Sequence, residues 1–547
     1  MEHFFSRLEN TITSYWDSPA ICNFEGETFT YSAIATSMAQ FHVLFEHSGI
    51  SRGDRIAICA RNSARWAISF LSITTYGAVA VPILSDFLPG SVAHLTDHSE
   101  SVLLFTDPDI WAKINPESVP GIKGVVSVND FTLLYSRDDV FSAAFSGLQE
   151  NFAKKFPMGF TRANVNYAKD TPEDLMVINY TSGTTSAPKG VMLRGDCFSA
   201  TIQFAGESVP IHYGDNVVSM LPMGHIYGLV FEFLFPFCNG VCITYFGKTP
   251  SPTLLLKAMK AVKPVMVVTV PLVMEKIHKT SIAPVVSKLY MKILLHLPFI
   301  GKLLYRKMGQ RLMEAFGGKV QYFIMGGAAL NPTVEKTFKR MGIPYTVGYG
   351  MTEASPLLTW AHPDEYVPGS CGKPISCISI RIDSEDPQHT PGEIQAKGMN
   401  IFSGYYRNDD ANLLAFTEDG FFKTGDLGVM DQHGNVFIRG RIKNMILSAN
   451  GQNIYPEEVE AVVNDQQYVL ESVVVDRASK LVALINLDNI AVRMDKLDRE
   501  AVSDIPENVR ESANRRLPSY SKITKVEVID EPFEKTPKMS IKRFLYK

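Results

Sequence analysis

The chain has 547 residues, more than three times the ~150 residues that one domain commonly takes, so a single small module is excluded. Hydrophobic residues make up 46% and charged residues 20%, an ordinary globular balance that excludes long disorder. With 53 basic against 57 acidic residues and a formal charge of −4, the chain has no electrostatic footprint for nucleic acid, and no such partner is expected.

The seven cysteines are odd in number and scattered, with only Cys238 and Cys242 close together. They form neither a disulfide framework nor a zinc pattern, and a reducing, cytoplasmic setting is expected. The opening Met-Glu-His-Phe-Phe-Ser-Arg-Leu-Glu brings acids early and lacks a basic stretch before an apolar core, so no targeting signal is expected in it. The longest uncharged run covers 67–85 and is interrupted by Ser69, Ser72, Thr74, Thr75, Gly77 and Pro82. That texture predicts a buried helix at 65–76, a turn at Gly77 and a buried strand at 78–84 rather than a membrane span. Short β-branched runs at 55–59, 101–106, 175–180, 216–221, 241–246, 265–270 and 320–325 alternate with helix-like stretches and read as buried strands of α/β units.

Residues 273–315 interleave Lys276, Lys279, Lys288, Lys292, Lys302, Arg306, Lys307 and Arg311 with Leu, Ile, Met, Tyr and Phe. Two readings stay open: an amphipathic helix pair packed on the core, or an interfacial surface for an anionic membrane or for delivery of a lipid substrate. From 366 to 440 the turns Pro391-Gly392, Asp419-Gly420 and His433-Gly434 punctuate short strands, which predicts a β-rich subdomain built on hairpins. Beyond it a helix is expected near 456–464, with strands near 472–476, 481–487 and 525–529. The expected architecture is α/β, with a large N-terminal lobe of α/β subdomains over 1–441 that contains the β-rich subdomain. A small α+β C-terminal domain follows over 442–547.

The strongest local signal is Tyr180-Thr-Ser-Gly-Thr-Thr-Ser-Ala-Pro-Lys-Gly-Val-Met-Leu193, directly after a predicted buried strand. Small residues let the backbone approach a ligand closely, hydroxyls and free amides can surround phosphate oxygens, and Lys189 adds a point charge. The common P-loop pattern is missing. Ser/Thr-rich surface loops are frequent, but closure by Pro-Lys-Gly before an apolar strand is not.

This loop resembles the phosphate-binding signature of the adenylate-forming superfamily of AMP-dependent synthetases and ligases, and further resemblances follow in order along nearly the whole chain. Leu221-Pro-Met-Gly-His225-Ile-Tyr-Gly228 is similar to the segment bordering the acyl pocket, and Gly326-Gly-Ala-Ala-Leu330 to the strip beside the adenine. Gly348-Tyr-Gly-Met-Thr-Glu353, Lys423-Thr-Gly-Asp426, Gly440-Arg441-Ile-Lys443 and Asn450-Gly-Gln-Asn-Ile-Tyr-Pro456 complete the set. Residues 270–277, with the helical stretch after them, resemble bacterial long-chain fatty-acid–CoA ligases.

The resemblance implies ATP, Mg²⁺ and coenzyme A (as substrate), and a role for each matching residue. Thr181, Ser182, Gly183, Thr184, Thr185 and Lys189 would surround phosphates, while Gly327 and Ala328 would lie beside the base. Tyr349, standing free of local packing between Gly348 and Gly350, would stack on it. Thr352 would serve phosphate. Glu353 would hold Mg²⁺, with Thr184 or Thr181 completing the site. Asp426 and Arg441 would bind ribose, Lys443 would mark the hinge of a mobile C-terminal domain, and Gly326 and Gly451 would line the acyl and pantetheine paths. His225 is either a gate at the acyl tunnel or a hydrogen-bonded core histidine.

Three departures stand out. Ser186 replaces a usual glycine, and Gln452 a common glutamate. Near the C-terminus, where the pattern Lys-Thr-Pro-x-x-Lys is usual, Ser540 occupies the column of the adenylation lysine. Lys538 and Lys542 lie two residues to either side, each about 6–7 Å along an extended chain and within a lysine's reach. One of them, Lys542 by preference because Arg543 follows it, is expected to substitute.

The implied reaction is attack of a carboxylate on the α-phosphorus of ATP with loss of pyrophosphate, then thiol attack on the acyl-AMP with loss of AMP. Positioning and countercharge matter more here than acid–base chemistry. The expected enzyme is an AMP-forming ligase joining a medium- or long-chain fatty acid to coenzyme A. It would be cytoplasmic, and peripheral on the inner membrane face if 273–315 is interfacial. Acyl carrier protein as acceptor, or an adenylate-binding member without full adenylation activity, are the alternatives.

Overall fold

The computed structural model describes residues 2–167, 174–181, 188–247, 251–447, 452–477, 480–535 and 541–546. Within them the uncharged 67–85 run divides as its texture predicts, into the helix Ala64–Tyr76 and the strand Val79–Pro82. Ser63 starts the helix by accepting the Trp66 amide at 3.1 Å, and Gly77 ends it at φ +89°, a conformation that costs glycine little. Its hydroxyls donate to carbonyls four residues back, Ser72 to Ile68 at 2.7 Å and Thr74 to Phe70 at 3.0 Å. That satisfaction lets a helix carrying polar residues lie buried on all sides. Among the described residues, no helix is long and apolar enough to cross a membrane.

Two seven-stranded sheets carry the large lobe. The first runs, in spatial order, Leu133–Ser136, Gly124–Ser127, Ser101–Thr106, Arg55–Cys59, Val79–Pro82, Leu175–Thr181, Lys189–Arg194; only its edge pairs are antiparallel. The second runs Tyr345–Val347, Tyr322–Met325, Met266–Thr269, Asn216–Val218, Cys242–Tyr245, Pro19–Asn23, Thr28–Thr30, parallel except at the last pair. A four-stranded antiparallel sheet follows, Ile378–Asp383, Gly392–Gly398, Phe422–Met430, Val436–Arg441.

One apolar core is continuous through these three sheets. It joins Ile58 and Val177 of the first, Ile243 and Met266 of the second and Ile394 and Phe422 of the third, through Trp66, Phe70 and Phe198 on the intervening helices. A separate core, with Val459, Val463, Val474, Ile485, Ile505 and Val509, lies between the helices Pro456–Asn464 and Arg499–Arg516 and the sheet Val469–Arg477, Lys480–Leu487, Lys525–Val528. The expected α/β architecture with a β-rich sheet and a smaller α+β unit is the one observed.

The predicted runs 241–246, 265–270 and 320–325 each form a four-residue strand, and a fourth is cut back further. The 216–221 run forms a strand only at Asn216–Val218, because the amides of Met220 and Leu221 turn out of the ladder to the Glu232 carboxylate at 3.0 and 2.8 Å.

The 273–315 segment forms the helices Pro271–Ile277, Ala283–Val286, Leu289–His296 and Pro298–Ala315, with a wider helical turn at His278–Ile282. Two buried glycines seat the last helix. A Cβ on Gly301 would fall 2.4 Å from the Leu295 carbonyl oxygen, and one on Gly309 2.2 Å from that of Met341. Gly309→Ala must therefore push this helix away from Pro332–Met341. The expected loss is about 1–3 kcal/mol, read as a lower urea midpoint; an unchanged midpoint would refute this packing.

Candidate functional site

In the second sheet, Tyr345–Val347, Tyr322–Met325, Met266–Thr269 and Asn216–Val218 are parallel neighbours. Segments leaving their C-terminal ends must emerge along one edge, where open α/β sheets form their ligand crevice. Three predicted motifs do so: 221–228, 326–330 and 348–353. Two of them touch, since the buried Tyr227 hydroxyl donates to Ile324 O at 3.1 Å and a Cβ on Gly326 would lie 3.2 Å from the Tyr227 ring.

Three polar side chains strap the 219–225 segment. Glu232 takes the amides of Met220 and Leu221 and the Ser219 hydroxyl. Asn62 donates to Leu221 O at 2.6 Å and accepts the Met223 amide at 2.8 Å. Asn179 donates to Gly224 O at 2.9 Å. His225 stands half-buried at the head of the short helix Ile226–Gly228, its amide bonded to Pro222 O at 3.0 Å.

Thr181 and Lys189, the flanks of the hydroxyl-rich loop, face each other as register partners of an antiparallel pair. Ser182, Gly183, Thr184, Thr185 and Ser186 lie outside the described residues. Lys189 Nζ sits 4.7 Å above the Tyr405 ring centre, a favourable seat for a cation, and the Tyr405 hydroxyl donates to Glu353 Oε1 at 3.0 Å. Burial and the neighbouring Glu353 carboxylate push that hydroxyl well above its usual range, so it donates as a neutral phenol. Tyr405 is positioned because 403–406 pairs with Lys189–Arg194, Met192 N–H reaching Gly404 O at 3.0 Å and Tyr406 N–H reaching Gly190 O at 2.7 Å. Thr352 and Glu353 are buried together in the turn Thr352–Ala354. Lys189, Tyr405 and Glu353 thus form one continuous line.

A second line meets at Asp426. The Tyr349 hydroxyl donates to its Oδ2 at 2.8 Å, and Arg441 Nε lies 3.0 Å from its Oδ1. Asp426 and Arg441 are cross-strand partners, so hairpin register alone makes the second contact. Burial pushes the Asp426 carboxyl up from the usual range, opposed by Arg441 and the Tyr349 hydrogen bond. Each carboxylate oxygen has a second lone pair, so two acceptor positions remain for a ligand.

The expectation that Tyr349 stands free of local packing is corrected. The residue is 7% exposed and belongs to the main apolar core, and Gly350 beside it brings the chain against Pro356, whose carbonyl oxygen would lie 1.8 Å from a Cβ there. Gly348 flanks the ring with a half-buried backbone. Gly327, at φ +86°, has open space where its Cβ would point, and Ala328 beside it is exposed. Lys443 is exposed in the turn Ile442–Asn444. Gly451, Lys538 and Ser540 lie outside the described residues.

Lys542 donates its amide to Glu534 O at 2.8 Å and sets its Nζ 3.3 Å from the Glu534 carboxylate. The next residue anchors the tail, Arg543 pairing with Glu460, from Nη1 to Oε1 at 2.6 Å. Burial pushes the Glu460 carboxyl up to about 7 in spite of that guanidinium. Among the described residues, no contact joins Lys542 to Tyr349, Glu353 or Asp426. Nor does any group of three His, Cys, Asp or Glu side chains there form a metal site by itself. A single buried carboxylate such as Glu353 fits Mg²⁺ shared with phosphate oxygens.

The profile of the AMP-binding enzyme family matches residues 8–406, and that of the AMP-binding enzyme C-terminal domain matches 443–546. The chain belongs to this family. Among its relatives, a protein of Mycobacterium bovis named long-chain-fatty-acid–CoA ligase FadD15 is 29% identical over 545 aligned residues, covering 90% of this chain and 86% of that one. Among solved structures, ATP-bound MatB from Rhodopseudomonas palustris superposes with a TM-score of 0.77 at 22% identity, covering 100% of this chain and 98% of that one. O-succinylbenzoate coenzyme A synthetase from Bacillus subtilis, in complex with AMP, gives 0.76 at 19% identity, with the same coverages. These structures share the fold.

Four residues that shape this family member's crevice escaped sequence reasoning. Tyr405 carries no signal in one sequence. Asn179 interrupts the apolar strand Leu175–Thr181, Glu232 is the only charge in the apolar run 226–238, and Asn62 is legible only through its partners. Both Asn179 and Glu232 could have been found as polar residues at positions where burial is otherwise complete.

Burial pushes the Glu232 carboxyl from an ordinary value near 4.5 up to about 8. Below pH 4.5 it is protonated in folded and unfolded chains alike; between the two values only the unfolded chain ionises it. Stability therefore falls as pH rises through that window, with a slope of up to about 1.4 kcal/mol per pH unit. Glu232→Gln should abolish this contribution, so the variant gains on the parent in unfolding temperature between pH 5 and pH 8. A difference independent of pH would refute the assignment.

Proposed function

We propose that this chain is an AMP-forming acyl-CoA ligase that activates a medium- or long-chain fatty acid with ATP and passes it to coenzyme A. The observation that carries the proposal is the convergence of Lys189, Tyr405 and Glu353, and of Tyr349, Asp426 and Arg441, onto the crevice edge of one parallel sheet. The long-chain relative and the charge-free acyl segment around His225 support the substrate class.

In this reading the remaining acceptor positions of Asp426 take the ribose hydroxyls, and Arg441 opposes the burial that favours the neutral carboxyl. Tyr349, fixed at its hydroxyl end, presents its ring to the base beside Gly327 and Ala328. Lys189 and the hydroxyl-rich loop from Thr181 onward bind phosphate oxygens, with Thr352 at the reacting end. Glu353 would hold Mg²⁺, which when bound would supply countercharge to the nucleotide phosphates. Gly326 and Tyr227 wall the acyl side, and the strapped 219–225 segment keeps that wall from shifting while the carboxylate is aligned for attack.

Lys542 or Lys538 reaches the α-phosphate for the first half-reaction, and Gly451 lines the thiol path for the second. The break between the two domains falls at 441/442, with Lys443 as hinge, so that rotation exchanges these two segments at the crevice. The proposed location is cytoplasmic, consistent with the free thiols of all seven cysteines.

The deciding assay supplies ATP, Mg²⁺ and acids of graded length, and reads AMP release with and without coenzyme A. Release that requires coenzyme A and peaks for long-chain acids is expected. Release only with acyl carrier protein, preference for aryl acids, or no turnover would each overturn the proposal. Asp426→Ala should raise the KM for ATP about 10–100-fold, the worth of a charged hydrogen-bonding group. Lys542→Ala or Lys538→Ala should abolish most pyrophosphate exchange; if both retain it, the lysine substitution is wrong.

A further inference from the structure

The exposed face of the helices Leu289–His296 and Pro298–Ala315 carries large apolar side chains in water. Phe299 is 90% exposed, Leu289 77%, Ile293 61% and Leu303 56%, with Tyr290 and Ile300 beside them. Scattered exposed apolar residues are ordinary, but a cluster on one hairpin marks a contact surface. Nor can these side chains turn inward. Met291 already fills the inner face, and Gly301 and Gly309 hold the second helix against the Leu295 and Met341 carbonyl oxygens.

The charge around this face is one-sided. Between 283 and 315 the chain has Lys288, Lys292, Lys302, Arg306, Lys307 and Arg311 against the single acid Glu314, in a protein whose overall charge is −4. All six basic residues are exposed, and among the described residues none of them has an ion-pair partner. Lys279, earlier in the same segment, is different. It pairs with Asp488 at 2.7 Å and donates to Val469 O at 3.1 Å, so the segment meets the C-terminal domain at Lys279.

We propose that the hairpin 289–303, with its flanking lysines and arginines, docks on the surface of an anionic lipid bilayer. Such a surface offers both needed partners at once, phosphate headgroups for the cations and the acyl boundary for Phe299, Leu289 and Ile293. A second copy of the chain fits worse, since a two-fold contact would bring the same six cations of each copy together.

The test uses the full chain and phosphatidylcholine vesicles with or without phosphatidylglycerol, read by co-sedimentation without ATP or acid, so its failure is distinct from failure of the ligase reading. Binding should require phosphatidylglycerol and weaken at high salt. Lys302→Glu with Arg306→Glu should weaken it at least about 25-fold, at roughly five-fold per basic residue, and Phe299→Ala with Leu303→Ala about ten-fold. Thermal unfolding of these surface variants should match the parent. Binding independent of the anionic lipid, or unaffected by both double variants, overturns the proposal. So does a dimer on size exclusion that Phe299→Glu dissolves while vesicle binding persists.

Discussion

A carboxylate 5% exposed can stay charged only where partners replace the lost water, and the crevice is organised around meeting that demand at Asp426. Arg441 meets it from across the hairpin and Tyr349 from the short antiparallel strand Tyr349–Gly350, just beyond the parallel strand Tyr345–Val347. Because the two partners belong to different sheets, satisfying one buried charge also sets the β-rich subdomain against the parallel layer. Glu353 repeats the device, taking the Tyr405 hydroxyl from a segment stitched to Lys189–Arg194. Two acids thus couple three sheets at the place where the motifs gather.

The 219–225 segment is held by polar side chains from other parts of the chain. Glu232, Asn62 and Asn179 fix the backbone of 219–225 through its amides and carbonyls. A segment that leaves its ladder early has backbone groups needing partners, and buried side chains supply them where a neighbouring strand cannot. The C-terminal tail follows the same rule, Arg543 being tied to Glu460, whose other partner is the Val474 amide.

Much of this was legible from residue order. The strands at 55–59 and 101–106 and the helix at 456–464 match Arg55–Cys59, Ser101–Thr106 and Pro456–Asn464, because apolar runs bounded by Gly, Pro, Asp or Asn have few other ways to bury themselves. The motif residues Lys189, Tyr349, Glu353, Asp426 and Arg441 were named through the resemblance of their motifs, in order, to the adenylate-forming family. The freedom assigned to the Tyr349 ring was wrong, since glycine neighbours say how close the backbone approaches and nothing about what approaches it. The two readings of 273–315 could not be separated either: exposure of Phe299 and Leu289 depends on which helix faces Gly301 and Gly309 reserve for packing.

By itself the sequence determined local order: where apolar runs are interrupted, which loop is rich in hydroxyls, which residues carry charge. Those are consequences of short-range sterics and periodic burial. Only the tertiary structure decided that Tyr405 joins Lys189 to Glu353, that Glu232 straps a segment twelve residues before it, and that one hairpin keeps its apolar face in water. Such pairings arise when distant strands become neighbours in a sheet, and the register that joins them is a property of the whole packed chain.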